Sequence, residues 1–210
     1  MTNVNSKKLM FPVISIVSVA ALLLASGCAK YRGQNLETLA YPSSEAKKES
    51  VFMAYKPFNA SDCKVYLDRD VLAKGYQPIQ VTIVNNSKKY LDFSLDRISL
   101  PSVPAREIAR KVHTSTAARA GGYGAASLVL WPFIIPAIVD GNKSARANDR
   151  LDEDFNRKEL KTQIISPYHS VNGIIFVPRE RFNPDFKVTL VEVENNNKIE
   201  LGSTKTSFNF

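Results

Sequence analysis

The chain has 210 residues, 44% of them hydrophobic and 23% charged, with 28 Lys and Arg against 20 Asp and Glu for a formal net charge of +8. That length sets a prior of one domain with room for an insertion. The positive balance suits an anionic lipid or polymer as neighbour and, on charge alone, nucleic acid as well.

Residues 1–27, MTNVNSKKLMFPVISIVSVAALLLASG, open with a short polar start carrying Lys7 and Lys8, continue through an apolar stretch over 9–25, and end in the small residues Ala25, Ser26 and Gly27. This is the three-part plan of a secretory signal peptide, removed before folding; an uncleaved anchor helix is the alternative. Removal takes away two lysines and no acids, leaving 183 residues at a formal +6. Export also argues against nucleic acid as a partner.

The run LLLASGC, in which small residues lead directly into Cys28, resembles the lipobox of bacterial lipoproteins. The family's Leu three places before the cysteine is matched here by Leu24 one place earlier, with Ala25 in its position. The resemblance implies that the Cys28 thiol is joined to a diacylglycerol, that cleavage falls immediately before it, and that the new amine is acylated. Each buried methylene contributes roughly 0.8 kcal/mol, so two or more chains hold a protein stably where one holds it marginally. By the same resemblance Ala29, in place of Asp, points to the outer membrane with the domain facing the periplasm. Ordinary signal-peptidase cleavage, releasing a soluble protein, stays open.

With Cys28 assigned, Cys63 is left alone in an oxidising compartment, which suggests a buried thiol or an intermolecular pair. In DCKVYLD, Cys63, Val65 and Leu67 alternate with polar neighbours, and the expectation is a buried strand position. Residues 28–50 show no sustained period and are rich in Ser, Lys and Glu; they read as a flexible tether of intermediate stiffness. The domain proper is expected over 51–210.

From Val51 the pattern becomes short runs of period two, the strand signal. Strands are expected at 51–55, 63–67, in YQPIQVTIVNNS and in YLDFSL; in the third, Ile79, Val81 and Ile83 share one face and Gln80 and Thr82 the other. Asn85, Asn86 and Ser87 supply a turn. Near the C-terminus, VNGIIFVP reads as an apolar strand over 174–177 behind a turn formed by Asn172 and Gly173, and FKVTLVEVENNNKIELG reads as a hairpin of strands 186–194 and 198–201. Many short strands divided by turn signals argue for an antiparallel sandwich. Over roughly 60–100 and 163–202 the chain resembles the immunoglobulin-like domains of bacterial envelope lipoproteins, in the Asn-Ser turn of IQVTIVNNS and the Pro-containing turn and apolar strand of ISPYHSVNGIIFVP. The Cys…Trp…Cys pattern of antibody domains is absent. Such domains are binding or structural modules, and the fold implies no particular chemistry.

The sandwich is expected to be interrupted over about 104–161 by a helical, partly hydrophobic insertion. It opens with Pro104 at a helix start and carries small residues four apart, Ala117, Gly121 and Ala125 in one row and Ala118, Gly122 and Ala126 in another; such rows let helices approach closely, while the glycines equally suit a flexible loop. Residues 121–139 include Pro132 and Pro136. A spanning helix needs about 20 apolar residues, and each interior proline costs about 3 kcal/mol, so the run reads as a cover on the sandwich or as a contact for an envelope protein or lipid. A charged helix is expected from a cap at Asn142 or Ser144. Its pairs Arg150 and Asp154, Glu153 and Arg157, and Asp154 and Lys158 stand four apart, as on a solvated face.

No catalytic residues, cofactor site or metal site are expected. His113 and His169 stand far apart with no Cys, Asp or Glu at ligand spacing, and no nucleophile elbow, phosphate loop, dinucleotide fingerprint or calcium loop occurs. Basic residues Arg106, Arg110, Lys111, Arg119, Lys143, Arg146 and Arg150 flank the apolar run, either solubilising two helices or meeting lipid headgroups. The leading expectation is therefore a lipid-anchored envelope protein with a non-catalytic role. The alternatives are a membrane-active or assembly protein using 121–139, and a hydrolase using Cys63 or the acidic helix.

Overall fold

The computed structural model describes residues 30–39, 50–113 and 134–203, with side chains from 145 onward in the last segment. The chain divides into two compact units. One comprises residues 1–30 and 114–147, and within it the described backbone is Lys30 and the first part of a helix. The other comprises residues 31–113 and 148–210 and carries all seven strands described below. Cys28 and residues 121–133 lie outside the described residues.

The β unit is mainly antiparallel. Strands β1 (Val51–Pro57), β2 (Tyr76–Asn85) and β5 (Ser170–Pro178) form one sheet in the order β1-β2-β5. Strands β3 (Leu91–Ile98), β4 (Gln163–Ile165), β6 (Lys187–Glu192) and β7 (Lys198–Gly202) form the other in the order β4-β3-β6-β7. Period-two alternation decides which residues meet. Val51, Met53 and Tyr55 of β1, Ile79, Val81 and Ile83 of β2, and Ile175 and Val177 of β5 share one buried cluster with Leu91 and Phe93 of β3, Val188 and Leu190 of β6, and Ile199 and Leu201 of β7. One shared apolar core between two antiparallel sheets is sandwich packing. The register places Met53 opposite Ile83 and Ile79 opposite Ile175, so apolar side chains face one another across the ladder.

The expected strands at 51–55, in YQPIQVTIVNNS, in YLDFSL and in the C-terminal hairpin are all present. The expected strand at 63–67 is not: Ala60–Asp62 form a helical turn, α1, that runs into a π-helical turn at Cys63–Leu67. A capping box nucleates it. The Asn59 side chain accepts from the Asp62 amide at 2.9 Å, and the Asp62 carboxylate accepts from the Asn59 amide at 3.2 Å. Asp68 at φ 48° ends the turn in the left-handed region.

Asn172 and Gly173 also differ from expectation, being interior residues of β5 rather than a turn. Gly173 stands where residues 159–160 cross the strand, with the Leu160 amide donating to the Ile174 carbonyl at 2.9 Å. A Cβ on Gly173 would lie 2.7 Å from Leu160 Cα; glycine is there for close approach, not for a turn. Strand β4, only three residues long, gives too short a period-two run to register in the sequence.

Helix α2 (Ala105–Lys111) starts at Pro104 as expected. Helix α3 (Ile134–Lys158) runs through Asn142 and Ser144 without a cap at either. Among the described residues no helix is long and apolar enough to cross a membrane.

Candidate functional site: a strapped sheet face

The outer face of the three-stranded sheet is divided along its length. At one end Ile174 and Phe176 of β5 join Phe58 in a second buried cluster, covered by Ala105, Ile108, Ala109 and Val112 of α2 and by Leu151 and Phe155 of α3. The Phe155 and Phe176 rings lie parallel at 5.7 Å. The i, i+4 spacing of Leu151 and Phe155 is the apolar stripe by which α3 packs on the sheet. Cys63 and Leu67 of the π-helical turn are buried in the same cluster.

The other end is polar. Gln80 and Thr82 lie on the face of β2 opposite Ile79, Val81 and Ile83, as alternation expects, yet this polar face is covered too: they are 2% and 0% exposed. Residues 31–39, part of the segment expected to be a tether, lie over them as a strap. Gln80 Nε2 donates to the Glu37 carbonyl at 2.5 Å and to Asn172 Oδ1 at 2.9 Å. Thr82 Oγ1 donates to Asn172 Oδ1 at 2.9 Å and accepts from the Leu39 amide at 3.3 Å. Buried polar groups are tolerated because each finds a partner, and here main-chain groups of the strap supply part of that partnership. Further along, the Gln34 amide donates to the Val65 carbonyl at 2.9 Å and the Arg32 amide to Asp68 Oδ2 at 3.0 Å.

Tyr31 fastens the strap's start. It is 9% exposed, and its hydroxyl donates to Asp154 Oδ2 at 2.5 Å. The Asp154 carboxylate also accepts from Lys158 Nζ and from the Arg157 guanidinium. Lys158 Nζ donates in addition to the Tyr66 carbonyl at 2.5 Å, and the Arg69 guanidinium lies 5.6 Å from the Tyr31 ring centroid. Gly33 is required by the same close packing, because a Cβ there would lie 2.3 Å from the Tyr31 hydroxyl and 2.7 Å from the Tyr66 carbonyl. Burial and the neighbouring Asp154 carboxylate push the Tyr31 phenol well above its ordinary range. Burial pulls the Lys158 ammonium below its own, against the attraction of Asp154. The charges of α3 are therefore not all on a solvated face: Asp154 and Lys158 are each 5% exposed, whereas Glu153 and Arg157 are exposed.

This cluster is suited to holding the chain in place rather than to chemistry. Two of its hydrogen bonds tie one segment to another, Tyr31 to α3 and α3 to the turn at Tyr66, two more brace Asp154 within α3, and none of them presents an activated nucleophile. Cys63 is fully buried, and burial together with Asp70 and Asp62 pushes its thiol up to about 11, far from the low pKa of a reactive thiolate. His113 Nε2 lies 2.6 Å from Asp152 Oδ1, and His169 Nδ1 lies 2.7 Å from the Pro167 carbonyl. Among the described residues no group of three or more His, Cys, Asp or Glu could hold a metal ion.

A second surface feature lies where β2 begins and β5 ends. A shallow groove of about 760 Å³ is lined by Lys74, Tyr76, Pro178, Arg179, Glu180 and Arg181, and the Lys111 ammonium lies 4.6 Å from the Tyr76 ring centroid. Lys74, Arg179 and Arg181 are exposed, as is Glu180, so the groove is lined by three cations and one carboxylate and is net positive. Of the basic residues expected around the apolar run, Arg106, Arg110, Lys111, Arg146 and Arg150 are exposed, while Arg119 is outside the described residues and the side chain of Lys143 is not described. The groove and the strap both escaped the sequence reading, since each joins residues distant along the chain. No family model matches the chain, and neither does any curated protein or solved structure.

Proposed function

We propose that the chain is a lipid-anchored protein of the cell envelope, held through Cys28 in the outer membrane and facing the periplasm, whose immunoglobulin-like sandwich has a non-catalytic binding or structural role. The observation that carries the anchor is the sequence LLLASGC, which sets a cysteine directly after an apolar stretch and three small residues. Support for the immunoglobulin-like assignment comes from the strand order, β1-β2-β5 in one sheet and β4-β3-β6-β7 in the other. The chain there changes sheets between β2 and β3, between β4 and β5, and between β5 and β6, so seven strands divide between two sheets as in that fold. In this scheme the helical insertion occupies the connection from β3 to β4.

A binding role rests on the basic groove at Lys74, Arg179 and Arg181, which favours an acidic partner. A role without catalysis is the economical reading of a buried Cys63 with a raised pKa. The test is Cys28→Ala. Incorporation of labelled fatty acid and retention in the membrane fraction should both be lost; retention of the label in the variant refutes the anchor. Removing residues 121–139 probes the assembly alternative, which requires self-association or liposome binding to fall while the strands persist by circular dichroism.

A further inference from the structure

Building on the Cys28 anchor, we propose that the domain is clamped directly against the lipid surface by its own strap, with Arg32, Lys64 and Arg157 facing anionic headgroups. Chain length limits how far the domain can stand from the lipid. A long tether would let the domain roam, but the first fastened residue is Tyr31, held by Asp154 and lying beneath Arg69. Three residue steps separate it from Cys28, a reach of about 10 Å at full extension. Gly33 and the bonds of Arg32 and Gln34 fix the chain just beyond it, so no slack can be drawn from the strap while it stays docked.

The side chains at that exit point carry a matching charge. Arg69 stacks over Tyr31, Arg157 pairs with the carboxylate that Tyr31 bonds, and Lys64 pairs at 3.7 Å with Asp68, the partner of the Arg32 amide. Lys64 and Arg157 are 78% and 65% exposed, free to reach headgroups while staying near these acids. Three exposed cations, Arg32, Lys64 and Arg157, thus belong to the strap or to residues paired with the partners of its start, and the field of an anionic leaflet decays within about a Debye length of 10 Å. The clamp consequently orients the molecule. The outer face of the three-stranded sheet lies toward lipid and the four-stranded sheet points away.

The experiment uses the full lipidated chain in vesicles of phosphatidylethanolamine and phosphatidylglycerol containing a headgroup spin-labelled lipid. A fluorophore is attached at Lys64→Cys or, on the four-stranded sheet, at Glu200→Cys, a position 59% exposed. Quenching is expected at position 64 and not at position 200. A Gly/Ser insert of about 20 residues between Ala29 and Lys30, with a root-mean-square span of roughly 25 Å, should abolish the difference without touching the fold. Equal quenching at the two positions, or a difference that survives the insert, overturns the clamp while leaving the anchor standing. Absence of acyl chains on the purified protein overturns the anchor and the clamp together.

Discussion

Replacing Asp154 with Ala removes the carboxylate at the centre of the strap's fastening and leaves the Lys158 ammonium, 5% exposed, with the Tyr66 carbonyl for company. Losing one partner of a buried ion pair costs about 3–5 kcal/mol, because the remaining charge stays desolvated. The Tyr31 hydroxyl, its acceptor gone, adds part of the roughly 1–3 kcal/mol typical of an orphaned buried polar group. Against a domain stability of about 5–15 kcal/mol, that is a large fraction. The double variant Asp154→Ala/Lys158→Met, which removes the stranded charge and keeps the apolar stem, should recover about 1–3 kcal/mol relative to Asp154→Ala alone. Equilibrium guanidinium unfolding followed by far-UV circular dichroism measures all three proteins. Tryptic cleavage at Lys30 and Arg32 gives an independent reading of strap opening, and Asp154→Ala should accelerate it. The reasoning fails if Lys158→Met adds to the damage instead of relieving it, since the two groups would then not be coupled through burial.

Asn85 is fully buried and donates to the carbonyls of Lys89, Ile165 and Ser166 while its Oδ1 accepts from the Ser87 amide and hydroxyl; Asn85→Ala should destabilise by about 2–4 kcal/mol, read as a lowered denaturation midpoint, and an unchanged midpoint contradicts this. Gly173→Ala forces a Cβ to within 2.7 Å of Leu160 Cα, so residues 159–160 must back away at a cost of about 1–3 kcal/mol; a wild-type melting temperature would refute the close-approach argument. Native Cys63 should resist thiol reagents at neutral pH and react fully after unfolding, and rapid native labelling would revive a cysteine hydrolase. Because its pKa is raised from 9.0 to about 11, the folded state keeps a proton that the unfolded chain releases in that window. Its contribution is complete below pH 9.0 and is lost as pH rises through about 11. Tyr31, also raised, acts with the same sign at higher pH, whereas Lys158, lowered, acts oppositely below its ordinary 10.5. Unfolding free energies compared between about pH 8 and pH 10.5 should fall less in Cys63→Ala than in wild type; an identical fall removes Cys63 as a cause.

Elements whose information is local were legible before the fold was known. Alternation of Ile79, Val81 and Ile83, of Leu91 and Phe93, and of Val188 and Leu190 specified strands and their inward faces, because a period of two is written in consecutive residues. The start of α2 at Pro104 was legible for the same reason. At 60–67 local pattern misled, because the alternation of Cys63, Val65 and Leu67 pointed to a strand while the capping box of Asn59 and Asp62 set a helical turn. Tertiary structure alone decided what covers the outer face of the three-stranded sheet. Gln80, Thr82 and Asn172 look like solvent residues until the main chain of 37–39 arrives to satisfy them, and Asp154 and Lys158 look like an exposed helical pair until Tyr31 closes over them. Polarity records that a side chain needs a hydrogen-bond partner, and only the folded chain says whether that partner is water or a strap from 43 residues or 123 residues away.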